Sequence, residues 1–182
     1  MIKEKVKQGN RTGDQVVLIH KVFVQYSGIE EQDHILFLII EQAILETLTI
    51  EKVDILCVIN VLITDDKGIK EYNREYRDID KATDVLSFPM QTFKKAGWKG
   101  LTEPELDEDT GDLPLGDIVI SLESSERQAD EYGNKAAYEL AYLTIHSTLH
   151  LLGYDHDNEI NEKAMHKKNK RIIKEMSFGV ND

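Results

Sequence analysis

Four short runs rich in β-branched residues alternate along this chain with longer stretches whose apolar side chains recur at helical spacing. Residues 16–25 (VVLIHKVFVQ) predict a first strand, ended by Ser27 and Gly28. The run 31–49 carries Ile35, Leu38, Ile39, Ala43 and Leu48 in a helical pattern. A buried strand is predicted over 53–63 (VDILCVINVLI), after which Asp65 and Asp66 supply the N-cap of a short helix through Tyr72 and Tyr76. Residues 82–88 (ATDVLSF) predict a third strand stopped by Pro89, and 115–121 (LGDIVIS) a fourth. Helices follow over 122–132, broken at Gly133 and Asn134, and over 136–152, mostly apolar and closed by Gly153 as a C′ glycine. A charged amphipathic helix is predicted over 158–176. That order describes an α+β domain in which a small mixed sheet packs against several helices.

Length and composition bound what such a domain can be. A chain of 182 residues predicts one domain, and a core of this size needs no disulfide to stand. Cys57 is the only cysteine, which excludes a disulfide scaffold, a multi-cysteine zinc finger and an iron–sulfur site, and fits a reducing cytoplasm. Residues 1–15 are polar and read as a loose leader without the apolar core of a secretory signal, leaving 16–182 as the domain. The longest apolar runs, such as 35–40, fall far short of the ~20 residues of a membrane helix, so no membrane partner is expected. Residues 90–114, with Gly97, Gly100, Pro104 and Pro114, read as a long surface loop of a length that points to function or disorder. Its acidic part, 103–112, lacks the spacing of a calcium loop and reads as solvated. A net charge of −12 excludes a general phosphate binder. Any nucleic acid must meet a local basic surface, for which Lys163, Lys167, Lys168, Lys170, Arg171 and Lys174 of the last helix are candidates.

The chemistry concentrates in HSTLHLLGYDH, residues 146–156. His146 and His150 are four apart on a predicted helix, so both imidazoles leave one face. Gly153 permits a left-handed turn that brings His156 back toward them. Three imidazoles arranged so leave a fourth position open, the arrangement of a catalytic zinc site. Nickel, copper and iron accept the same donors. Metzincin peptidases share this spacing but place a glutamate after the first histidine as general base. Ser147 stands there, and its hydroxyl has no useful basicity near neutral pH. A zinc-bound water can still ionise near pH ~7, so the site needs a different helper. Arg77, just before the third strand, presents a fixed fork suited to phosphate oxygens. On spacing alone it reads rather as a helix C-terminal cap or as the partner of Asp78 or Asp80, since a surface arginine beside acids is common. His20, His34 and His166 read as structural or solvated, and Cys57 as a small buried hydrophobe.

HSTLHLLGYDH resembles the signature of the YbeY family of bacterial single-strand endoribonucleases, whose usual form has glycine where Ser147 stands. YNREYR with TDVLSFP (72–77 and 83–89) resembles a second family motif, and LGDIVIS with Gln128 and Ala129 a third. The resemblance runs in the family's order from about residue 16 to 176. It implies a single α+β domain with a mainly parallel four-stranded sheet. It implies one zinc ion per chain held by His146, His150 and His156, with Arg77 as the arginine needed for activity. The implied substrate is single-stranded RNA, in maturation of the 16S rRNA 3′ end and ribosome quality control. The implied partners are the small ribosomal subunit, its proteins and an Era-type GTPase. The nucleophile would be either the 2′-hydroxyl, giving a cyclic phosphate, or a zinc-bound water. Two rivals stand beside this reading: a metzincin-like zinc peptidase, and a non-enzymatic ribosome-assembly factor whose zinc is structural.

Overall fold

The structure, a computed structural model, describes residues 18–29 and 34–176. The predicted leader and the first residues of the expected strand 16–25 and helix 31–49 lie outside them. Four strands form one mixed sheet: β1 (Lys21–Tyr26), β2 (Cys57–Thr64), β3 (Val85–Pro89) and β4 (Leu113–Ser121), in the order β1-β2-β4-β3. The pairs β1–β2 and β2–β4 are parallel, and β3 runs antiparallel along the outer edge of β4. The described residues also form five α-helices: α1 (His34–Ile50), α2 (Asp66–Arg77), α3 (Leu122–Tyr132), α4 (Ala136–Leu151) and α5 (Glu159–Glu175). The class is α+β, as the order of elements predicts, and the sheet is four-stranded and mainly parallel, as the resemblance implies. None of the described helices is long and apolar enough to cross a membrane.

The element ends follow from local chemistry. Asp65 caps α2 by accepting from the Gly68 N–H at 2.7 Å, and Asn158 caps α5 by accepting from Ile160 and Asn161. β2 starts at Cys57, later than the apolar run 53–63 predicts, because the residues before it complete the exit from α1. Lys52 adopts a left-handed φ of 59°. Its N–H reaches the Thr49 carbonyl, and the Val53 N–H reaches that of Leu48, both at 3.0 Å, which closes a Schellman motif and buries Val53. β3 also starts late, at Val85, because the Asp84 carboxylate accepts from the Val85 N–H and the Thr83 hydroxyl and turns the chain there. Pro89 is tolerated as its last residue because β3 is an edge strand.

The main core lies on one face of the sheet, where Ile59, Val61, Ile118 and Ile120 meet Ile40, Ile44 and Leu48 of α1 and Leu140, Ile145 and Leu149 of α4. A smaller cluster, Ile69, Leu86 and Val119, seats α2 on the opposite face. α4 is buried over most of its circumference and touches α1, α3, α5, β3 and β4. Its threonines carry their own hydrogen bonds into the core: Thr144 donates to Leu140 O at 2.7 Å and Thr148 to Thr144 O at 2.8 Å. The C-terminal end of α4 is therefore a rigid platform for the side chains it presents.

Segment 90–114, expected as one surface loop, divides in two. Residues 103–111 are exposed, but Gln91 and Gly100 are buried, a 3₁₀ turn spans Trp98–Gly100, and Phe93 bridges to Leu101. The segment ends at β4, where Asp112 is held by Lys21 at 2.6 Å.

Candidate metal centre

α4 ends in a second Schellman motif. The Gly153 N–H donates to His150 O at 2.9 Å and the Tyr154 N–H to Leu149 O at 3.1 Å. Gly153 has a φ of 77°, and a Cβ there would lie 2.5 Å from the Phe93 Cβ. Glycine is thus required by both conformation and space. The turn sends the chain back along the helix end, and His156 meets the two helical histidines. Ring centroids lie 4.7 Å apart for His146–His150, 5.0 Å for His150–His156 and 5.7 Å for His146–His156. One ring nitrogen from each falls within 4.8 Å of the others, so the three could hold a metal ion.

The donor set fits a zinc-like ion. The His146 and His150 Nε2 atoms are 3.1 Å apart, close to the ~3.3 Å edge of a tetrahedron with ~2.0–2.1 Å metal–nitrogen bonds. The His150 Nδ1–H donates to the Tyr154 carbonyl at 2.9 Å. That bond leaves the Nε2 lone pair facing its neighbours, as a metal ligand requires. Burial, then the neighbouring His150 and His156, pushes His146 down to about 4. His150 is lowered as well, by burial first, with smaller effects from His156 and Arg77. These two imidazoles are neutral near pH 7 and their lone pairs are free.

The triad opens into a groove of about 1170 Å³ bounded by β3 and the segment after it, the end of α3, α4 and α5. Arg77, the last residue of α2, lies across it. One Nη donates to the Ser87 carbonyl of β3 at 3.1 Å. Among the described residues it pairs with neither Asp78 nor Asp80, and Lys70 holds Asp80 at 3.2 Å. Arg77 is exposed, so the rest of its fork is available to a ligand.

Several lining residues were not singled out as site residues from the sequence. Asp84 reaches the groove with both oxygens engaged, Oδ1 by Thr83 and Val85 and Oδ2 by Gln128 at 2.9 Å. Asp84 and Gln128 both fall within the motifs that carry the family resemblance, which is the signal that marked them. Tyr142, one turn before His146, stacks on its ring at 6.4 Å and shares a hydrogen bond of 2.9 Å with His166 Nδ1. His166 is exposed, as read, yet lines the groove with Lys170. Of the other basic residues of α5, Lys168 pairs with Glu51 and Lys163 with Glu159. His20 accepts from the Cys57 N–H at 3.2 Å and His34 stacks on Phe37, both structural contacts. The Cys57 thiol is buried and pushed up to about 12.

A profile of the family described as Endoribonuclease YbeY matches residues 26–177. An Endoribonuclease YbeY of Caldicellulosiruptor bescii is 43% identical over 160 residues, spanning 87% of this chain and 98% of the relative. Another, from Clostridium botulinum strain Loch Maree, is 46% identical over 133 residues, spanning 70% of this chain and 80% of its own. Among solved structures, a Thermotoga maritima protein determined in solution superposes with a TM-score of 0.55 at 29% identity, over 86% of this chain and 89% of that one.

Proposed function

Because this chain belongs to the Endoribonuclease YbeY family, we propose that it is a zinc-dependent endoribonuclease that cuts single-stranded RNA in the cytoplasm, in maturation of the 16S rRNA 3′ end and in ribosome quality control. The observation that carries this reading is the meeting, in one groove, of three imidazole nitrogens within 4.8 Å of one another and an arginine free of acidic partners among the described residues. His146, His150 and His156 would hold the zinc, which supplies Lewis-acid charge beside the scissile phosphate. Arg77 would present its free N–H groups to the equatorial phosphate oxygens as their charge grows in the transition state. The Ser87 carbonyl keeps that guanidinium aimed across the groove.

The groove exceeds the ~300–1,000 Å³ typical of small-molecule sites. Tyr132 and Tyr138 line it and offer rings on which unpaired bases can stack, a contact a duplex cannot make. Lys170 and His166 add positive or protonatable groups on the α5 wall. With a net charge of −12, the protein gains little from long-range attraction to free RNA. That favours a substrate presented by the small ribosomal subunit, with ribosomal proteins and an Era-type GTPase as partners. Ser147, at the position of the peptidase glutamate, is fully buried and does not line the groove, so no general base for peptide hydrolysis stands there.

The test incubates metal-loaded and chelated protein with end-labelled single-stranded RNA, the same sequence as a duplex, and small subunits carrying 3′-extended rRNA. Metal-dependent cutting of the single strand and of the subunit-bound extension is expected. Normal maturation by protein unable to cut any RNA would leave the assembly-factor reading in its place.

A further inference from the structure

Tyr154 holds the carbonyl that orients His150 and stands two residues before His156, and its side chain enters a largely buried ionic contact. Its hydroxyl donates to Glu51 Oε2 at 2.7 Å, at the end of α1. The other oxygen of Glu51 accepts from Lys168 of α5, whose Nζ lies 4.8 Å from the centre of the Tyr154 ring. The Glu51 side chain is only 6% exposed. Gly97, at a φ of 86°, packs directly against this contact: a Cβ there would fall 2.7 Å from the Tyr154 hydroxyl and 3.1 Å from Glu51. Three elements distant in sequence thus grip one side chain of the turn that carries the third ligand.

We propose that Glu51, Tyr154 and Lys168 form a positioning clamp that presets the metal centre, fixing the His150 tautomer and the approach of His156. This rests on the reading of the three histidines as metal ligands. His156 is itself exposed, and its only hydrogen bond among the described residues is from its backbone N–H to Asp155. Its place therefore depends on how firmly the preceding residues are held. His150 is oriented by the carbonyl of the same residue whose ring and hydroxyl the contact holds. Removing the grip lets the turn sample positions in which three nitrogens no longer converge, and a metal must then order them on binding. Ligand-orienting contacts of this kind change metal affinity by ~10–100-fold. A stability role alone is a weak account, since a buried ion pair adds little net stability.

Tyr154→Phe is the informative variant, because it deletes one hydroxyl and leaves both charges paired. Glu51→Gln is the second. Zinc affinity is measured on the full chain by competition with a chromophoric chelator, and the His150 tautomer in metal-free protein by long-range ¹H–¹⁵N spectra. Melting of the metal-free protein shows that each variant is folded. The clamp predicts zinc binding weakened ~10-fold or more in Tyr154→Phe, with the Nδ1–H tautomer of His150 less populated than in wild type. Should Glu51→Gln fail to fold, Tyr154→Phe decides alone. Folded Tyr154→Phe with wild-type zinc affinity and an unchanged tautomer overturns the clamp and leaves the metal reading intact. Wild type that binds no zinc overturns the metal reading, and the clamp with it.

Discussion

Replacing Arg77 by lysine separates a group that meets phosphate from one that only ends a helix. In the folded protein Arg77 spends one N–H on the Ser87 carbonyl at 3.1 Å and is otherwise exposed. That bond is neutral at its acceptor and half in water, so its loss should cost the fold no more than ~1 kcal/mol. Burial, the main cause that lowers His150, is untouched, and lysine keeps the smaller effect of a positive charge nearby, so metal affinity should persist. What lysine cannot do is hold the β3 carbonyl and present a planar fork to phosphate together. A charge-assisted contact made in the transition state is worth ~1.5–3 kcal/mol, or roughly 10–150-fold in rate. Single-turnover cleavage of single-stranded RNA, with zinc content and melting temperature measured alongside, reads this directly. Arg77→Ala, which loses charge as well as fork, should be slower still. Equal rates for wild type and Arg77→Lys would show that the fork meets no phosphate, and the triad would then need another partner.

Three further outcomes follow from the site. Chelating metal from protein kept with free zinc at a hundred times its dissociation constant should cost ~2.7 kcal/mol of stability, or roughly 5–11 °C in Tm for a chain of this size, and His150→Ala should melt the same with or without added zinc. Metal-free protein should lose stability as pH falls from 6.5 toward about 4, because burial depresses His146 across that window and the unfolded chain binds the extra proton; urea titrations should give a level plateau above it and a flatter slope in His146→Asn. Ser147→Ala removes a buried hydroxyl with no hydrogen-bond partner and should raise stability by ~1 kcal/mol, read as a higher urea midpoint at unchanged slope.

The parts of the fold legible in the sequence are those whose physics is local. His146, His150 and Gly153 sit on one helix end, and helical periodicity with a left-handed glycine suffices to turn His156 toward them. The order of strands and helices was likewise visible in apolar periodicity. The start of β2 was not, because a lysine rather than a glycine takes the left-handed exit from α1, and nothing in Lys52 advertises that conformation. The 90–114 segment was legible only in composition. Its turn-forming and acidic residues read as surface, whereas Phe93 and Gly97 are placed by what they press against, Gly153 and Tyr154.

The same division separates the parts of the site. The three imidazoles and the Tyr154 carbonyl that orients one of them lie close in sequence, but the arginine that faces them and the side chains that grip their turn come from elsewhere in the chain. Arg77 reaches the groove because β3 pairs antiparallel to β4 and leaves the Ser87 carbonyl at the edge. Glu51 meets Lys168 across 117 residues and Tyr154 across 103. A metal-binding peptide could be cut from 146–156, but its histidines would adopt no fixed tautomer and face no arginine. The fold's contribution is therefore less the donor atoms than their preset geometry, with three imidazole nitrogens brought to one point and a guanidinium held across the groove before any ligand arrives.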